Sequence, residues 1–463
     1  MTVSLTHPTS RTYEDEVAQI ARDLGGDVAS RDEAGAWLAA GPANYHGAEP
    51  SWDMVPKIFD RAATARLAHA AETMGRIMEK ATRRFRDDAA YRARYRFPAR
   101  LEQLACAPAG YPCQVPCARV DLFYNEDTGD FRFCEINTDG TSGFLATEAV
   151  TSAIMRTETF RTFARRHPSA HPARLFDAWI DALLATWEAW EPPAGARKPQ
   201  SPVIAVVDYA ESVSRAEVDE FCRRFADRGI EARFADVRSL RIVRKGARSR
   251  LADDAGPIDC VWKRAVTGEL FEKPCPGADA LASALEGNLA CLVGSHRTWV
   301  TATKTFFALL WDDTIDSCLS ADEEAFVRAH VPETHFLYPD TDVTAFADRE
   351  RWIVKPAAGY NSVGVVAGLD VSADEWRCAL ETVARKGGIV QAYAPQYDTC
   401  TIPNGADLPR FDEDPLAFPP AHNMEGLFLF NGKFCGTFNR CGFGNVIGEF
   451  QGRLNQGALY LDE

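Results

Sequence analysis

Four polar residues, Arg119, Asp121, Glu135 and Asn137, stand two apart in pairs within RVDLFYNEDTGDFRFCEINTDGTSG, residues 119–143. Val120, Leu122 and Tyr124 alternate with Arg119, Asp121 and Phe123. After a Gly-containing turn, Phe131, Phe133, Glu135 and Asn137 alternate with Arg132, Cys134 and Ile136. Period-2 patterns on both sides of such a turn predict an antiparallel hairpin. Residues two apart on a strand share a face, so Arg119 projects with Asp121, and Glu135 with Asn137. Two carboxylates and an amide oxygen are hard donors suited to Mg²⁺, which completes its shell with water and phosphate. Arg119 beside them would neutralise phosphate oxygens. A solvated hairpin face carrying cross-strand ion pairs accounts for the same spacing.

The next residues, Thr138-Asp139-Gly140-Thr141-Ser142-Gly143, open a helical run from Phe144 to Phe163. The hydroxyls of Thr141 and Ser142 and free backbone N–H groups at a helix start would attract an anion.

The elements that must position these groups follow from the rest of the chain. Residues 11–40 read as two short helices and 54–105 as long helical periodicity broken at Pro98. Beyond the hairpin, 145–167 and 173–190 are helical, and EPPAGARKPQSP marks a boundary. From Val203 the pattern becomes β-α-β, with strands VIAVVDY, EARFADV, DCVWKR and CLVG, which predicts a small parallel sheet. Asp208 and Tyr209 end its first strand, where they would line a crevice or make a turn.

Residues 301–311 read as a helix carrying Lys304. RWIVKPAAGYNSVGVVAGLD gives two strands, 351–355 and 363–368, with Lys355 ending the first. The loop 357–362, including Gly359, could lie over a phosphate because small residues let backbone N–H groups approach closely. GIVQAYAPQY, with Gln391 and Tyr393, supplies an extended edge. EGLFLFN and KFCGTFNR flank Asn431-Gly432, a hairpin signal, with Arg440 closing the second strand. The tail CGFGNVIGEFQGRLNQGA has no clear periodicity.

Composition excludes several classes. The chain has 463 residues and a net charge of −15, with no basic run, so nucleic acid is not an expected partner. No apolar run approaches a membrane span, and the start lacks a basic and apolar leader, which predicts a cytoplasmic protein. The 13 cysteines are scattered without a CxxC pair or a nearby His, so buried, reduced thiols are expected rather than a zinc site.

Taken in order, these pieces resemble the ATP-grasp ligases of the glutathionylspermidine synthase type, in which circular permutation puts the metal-binding strands before the nucleotide-binding lobe. The resemblance spans residues 115–445 and rests on RVD at 119–121 and EIN at 135–137. It implies an α+β/α/β, ATP-grasp-like multilobed fold in four parts. These are an N-terminal helical region (1–105), the metal-site hairpin and following helices (106–192), a small α/β lobe (200–295), and the nucleotide-binding and C-terminal core (296–463). It also implies ATP with two Mg²⁺ ions on Asp121, Glu135 and Asn137, and catalysis by Arg119 and Arg440. Lys304, Lys355, Gly359, Gln391 and Tyr393 would contact nucleotide, and Thr141, Ser142 and Lys263 the substrate. The family's Asn-Ala-Asp-Thr-Pro-Thr run is Asn-Thr-Asp-Gly-Thr-Ser here, which keeps the hydroxyl and loses the proline.

The implied reaction is phosphorylation of a small-molecule or peptide carboxylate by ATP, then displacement of phosphate by an amine to form an amide. A catalytically silent nucleotide- or peptide-binding module and an ATP-dependent kinase share the same nucleotide site. Substrate identity and oligomeric state are not legible.

Overall fold

The computed structural model describes residues 9–43, 50–196, 198–245, 248–359, 363–404, 420–448 and 452–463. Among them, eight strands form a central sheet. Its order is Pro403–Asn404, Trp52–Phe59, Leu454–Tyr460, Lys433–Gly442, Pro420–Phe430, Cys117–Tyr124 and Phe131–Asn137, and Asp398–Cys400 pairs the outer end of Pro420–Phe430. The hairpin read around residue 126 and the one at Asn431-Gly432 lie side by side in it. At the second turn Asn431 and Gly432 have φ of 46° and 76°, the left-handed pair that a two-residue hairpin needs.

Two strands of this sheet differ from the sequence reading. Trp52–Phe59, read as the start of a helix, is buried along its whole length and runs parallel to Leu454–Tyr460. Leu454–Tyr460, read as an aperiodic tail, is likewise buried throughout. A strand covered on both faces loses the apolar–polar alternation that would mark it. The 27-residue helix Arg61–Asp87 follows directly and packs its apolar stripe, Leu67, Met74, Ile77 and Phe85, into the core under the first hairpin.

An antiparallel sheet of Thr334–Leu337, Gly388–Ala392, Trp352–Pro356 and Val366–Ala367 carries Lys355. Helix Ala373–Lys386, capped by Ser372 and Glu375, covers it through Trp376 and Leu380. The parallel sheet is ordered Ala232–Asp236, Ile204–Asp208, Cys260–Lys263, Cys291–Val293, as the β-α-β pattern predicts. The fold is therefore mixed α+β with one parallel lobe. All 13 cysteines are free, but only Cys117, Cys260, Cys291 and Cys441 are buried. No helix among the described residues is long and apolar enough to cross a membrane.

Candidate functional site

In the first hairpin Arg119 lies opposite Asn137 and Asp121 opposite Glu135, so the four side chains share one face. Asp121 is 0% exposed. Its carboxylate accepts from Arg119 Nε (2.8 Å) and Nη2 (3.1 Å), from Arg440 Nη2 (2.7 Å) and from Asn137 Nδ2 (3.3 Å). Burial alone would raise its pKa, but the two guanidiniums outweigh it and hold the carboxyl below its usual range. Gly426, on the neighbouring strand opposite Asp121, makes room for this clamp: a Cβ there would stand 2.7 Å from both Arg119 Cδ and Asp121 Oδ1.

Arg119 Nη1 also donates to the Ser142 carbonyl (2.9 Å), and Arg119, Arg440 and Arg453 all lie over the Phe438 ring, at 5.0, 4.7 and 5.8 Å. Arg440 Nε is buried without a hydrogen-bond partner.

Lys304 and Lys355 approach Glu135 and its strand from the other side. The helix read over 301–311 is broken: Trp299–Ala302 ends, and Lys304 caps Thr305–Leu309. Lys304 Nζ reaches Glu135 Oε1 (3.2 Å) and donates to the Gly359 carbonyl (2.9 Å). Lys355 Nζ donates to the Cys134 carbonyl (3.0 Å) and to Gln391 Oε1 (2.8 Å). Burial pushes the Lys355 pKa down, Glu135 opposes this and Lys304 adds to it. Residues 360–362 of the loop expected to cover a phosphate lie outside the described residues.

The nucleotide edge read at Gln391 and Tyr393 is placed differently. Gly388–Ala392 is flanked by strands on both sides, so its backbone groups are taken by the ladder. Gln391 is buried between Lys355 and Thr334, which makes it a positioning group for the lysine. The Tyr393 hydroxyl donates to Asn445 Oδ1 (3.3 Å); Asn445 lines the cleft, whereas Gln391 and Tyr393 do not.

The helix start after the hairpin also carries its own anion. Phe144–Ile154 begins at Gly143 (φ 106°) without a side-chain cap from Thr141 or Ser142. Instead Glu217 accepts from the backbone N–H groups of Gly143 (3.3 Å) and Leu145 (3.0 Å), and Arg264 pairs with it at 2.6 Å. Thr141 Oγ1 donates to the Asn137 carbonyl (3.0 Å). Lys263, read as a substrate contact, is buried in an ion pair with the cleft residue Asp139 and donates to Ala265 O and Thr267 Oγ1; it does not itself line the cleft. Asp139 is further held by Thr298 Oγ1 and the Thr267 N–H.

These elements enclose a cleft of ≈1080 Å³. Arg119, Glu135, Asn137, Lys304, Lys355 and Arg440 line it, as do Gly359, Thr141 and Ser142. Asp208, Glu269 and Arg264 form the wall from the parallel lobe, and burial raises Asp208 to about 6. Sequence reading missed Phe438, Arg453 and Asn455 as cleft residues. Arg453 and Asn455 sit in the segment taken for an aperiodic tail, and Phe438 is indistinguishable from core.

The donor set offers a divalent cation two hard oxygens at the cleft surface, from Glu135 and Asn137. Asn137 turns its amide nitrogen to Asp121, which leaves Oδ1 as its acceptor atom. Asp121 itself is occupied by the arginines, and no group of three or more His, Cys, Asp or Glu able to hold a metal occurs among the described residues. One or two protein ligands completed by phosphate and water is how Mg²⁺ is commonly held, so the residues fit that ion without Asp121.

No family model matches the chain, and no curated protein does. Among solved structures, a glutathione synthetase-like effector from Globodera pallida, in its apo form, matches at 13% identity. That match covers 94% of this chain and 96% of that one with a TM-score of 0.53. A putative γ-glutamylcysteine synthetase from Methylobacillus flagellatus matches at 14% identity, with 82% and 83% covered and a TM-score of 0.35. An ATP-grasp ligase solved with a minimal precursor, Mg and ADP matches at 12% identity, with 55% and 88% covered and a TM-score of 0.29. The chain shares its overall fold with the Globodera pallida protein.

Proposed function

We propose that this protein is an ATP- and Mg²⁺-dependent carboxylate–amine ligase of the glutathionylspermidine synthase type, permuted so that the metal-site hairpin precedes the nucleotide lobe. It forms an amide through an acylphosphate and releases ADP and phosphate. The observation that carries this reading is the convergence of four cations, Arg119, Lys304, Lys355 and Arg440, with the oxygen donors of Glu135 and Asn137 on one cleft.

Phosphoryl transfer needs positioning and neutralisation of the transferring oxygens more than it needs a nucleophilic side chain. Lys304 and Lys355 supply point charges for the ATP phosphates. Arg440, with its buried Nε lacking a partner, and Arg119 face the transferred group and the substrate carboxylate. Glu135 and Asn137 would hold Mg²⁺, which would supply charge withdrawal from the phosphate oxygens. Asp121 orients both arginines, and could hold a second ion only by giving up one of its present donors. The carboxylate attacks the γ-phosphorus, ADP leaves, and the amine then attacks the acyl carbon with phosphate as leaving group. The wall of Asp208, Glu269 and Arg264 faces the acceptor side. Substrates are a small-molecule or peptide carboxylate and an amine.

ADP release with MgATP and panels of carboxylates, with and without amines, tests this. ADP only when both are present supports a ligase. ADP with carboxylate or hydroxyl compounds alone would make the protein a kinase, and saturable ATP binding with no turnover in any combination would make it a silent module.

A further inference from the structure

A second cavity, of ≈570 Å³, opens where the end of helix Arg61–Asp87, the Pro/Gly-rich segment 107–114, the end of helix Leu175–Ala189 and the turn His296–Thr298 meet. Arg83, Arg86 and Arg297 line it, against one carboxylate, Glu191. A local excess of guanidinium is unexpected in a chain of net charge −15.

Arg297 is the decisive residue. It is 3% exposed, and no Asp or Glu within 4.0 Å pairs with it among the described residues. Its Nη1 donates to Gln114 Oε1 (3.0 Å) and its Nη2 to the Ala107 carbonyl (2.6 Å), both neutral acceptors. Nε is buried without a partner. A buried cation is ordinarily paired with an anion, since leaving it unpaired costs several kcal/mol. Other buried arginines of this chain obey that rule: Arg119 has Asp121 and Arg264 has Glu217. Burial accordingly pushes the Arg297 pKa down; Tyr111 and the more distant Glu79 oppose this, and Arg86 adds to it. The rim arginines each keep a partner, Arg83 with part-buried Glu79 (3.2 Å) and Arg86 with exposed Asp87 (2.8 Å).

We propose that this cavity binds a compact dianion of the phosphate class, inorganic phosphate or a phosphate ester, with Arg297 at its base and Arg86 and Arg83 at its rim. The bound anion supplies the missing counter-charge, and guanidinium N–H groups donate to phosphate oxygens. The site lies behind the catalytic cleft. Arg297 is followed by Thr298, whose hydroxyl holds Asp139 (3.0 Å) and whose carbonyl accepts from Thr138 (2.7 Å). An anion there braces the segment that leads to Lys304.

Isothermal titration of the protein with inorganic phosphate, and separately with AMP, at constant ionic strength tests this. The comparison uses the Arg83→Gln/Arg86→Gln double variant, whose substitutions are on the exposed rim, along with Arg297→Gln and Arg440→Gln. The expected result is phosphate binding retained in Arg440→Gln and weakened about tenfold or more by the rim variant. Binding by AMP as well assigns the site to phosphate esters, and binding by phosphate alone assigns it to the free anion. Phosphate binding that survives in the rim variant but is lost in Arg440→Gln places the anion in the catalytic cleft and overturns the proposal. Absence of phosphate and AMP binding to the unmodified protein overturns it too. If Arg297→Gln fails to fold, the rim variant alone decides.

Discussion

Replacing Lys355 by Met keeps the aliphatic stem and removes the ammonium. That ammonium has three protons, and two are used inside the protein, on the Cys134 carbonyl and Gln391 Oε1. The third is left for the cleft that Lys355 lines. A charge-assisted contact of this kind contributes about 1.5–3 kcal/mol, which is roughly a 10- to 150-fold rise in KM for ATP. The same residue sets an alkaline limit. Its pKa lies below the usual lysine range because burial disfavours the charged form. ATP use should therefore fall at a lower pH than an exposed lysine would dictate. For stability the sign is opposite: in the window between the lowered folded value and the ordinary lysine value of 10.5, the unfolded chain holds more protons, so stability rises with pH there. Steady-state kinetics across pH for both proteins is the assay. In the variant the alkaline limb of kcat/KM for ATP should disappear along with the lowered affinity. An unchanged KM for ATP, or a limb that persists in Lys355→Met, would refute the reasoning.

Gly426→Ala should cost about 1–3 kcal/mol through overpacking and disturb the Arg119–Asp121 clamp, read as a lower Tm together with lost turnover. Glu217→Gln removes the charged partner of buried Arg264 and the carboxylate at the Phe144–Ile154 helix start, so a loss of about 3–5 kcal/mol is expected in chemical denaturation. Glu425 is fully buried on the opposite face of the sheet among Lys57, Glu14 and Glu126, and burial lifts it to about 8 against the pull of Lys57. Because the folded protein keeps that proton longer than the unfolded chain, stability should fall as pH rises from about 4.5 to about 8, and Glu425→Gln should flatten the fall in pH-dependent melts.

Period-2 alternation made the two hairpins legible, because each is patterned locally and closed by a turn of recognisable chemistry. The β-α-β lobe was legible from another signal, short continuous apolar strands alternating with helical periodicity. Trp52–Phe59 and Leu454–Tyr460 were not, since full burial erases alternation. The clamp on Asp121 depends on Arg440, 319 residues away, and spacing within RVD and EIN says nothing of it. The helix start after Gly143 looked open because its occupant, Glu217, is 74 residues further along the chain. Lys263 and Asp139 are 124 residues apart, so neither shows in sequence that the other neutralises it.

The central claim is that a substrate carboxylate, activated as an acylphosphate, becomes an amide. Its most direct test uses the carboxylate–amine pair selected by the ADP assay, with the carboxylate labelled in both oxygens with oxygen-18. The account predicts that the phosphate released carries one labelled oxygen, since the bond made to phosphorus and the bond later broken at the acyl carbon flank the same atom. Unlabelled phosphate accompanying amide formation would contradict it.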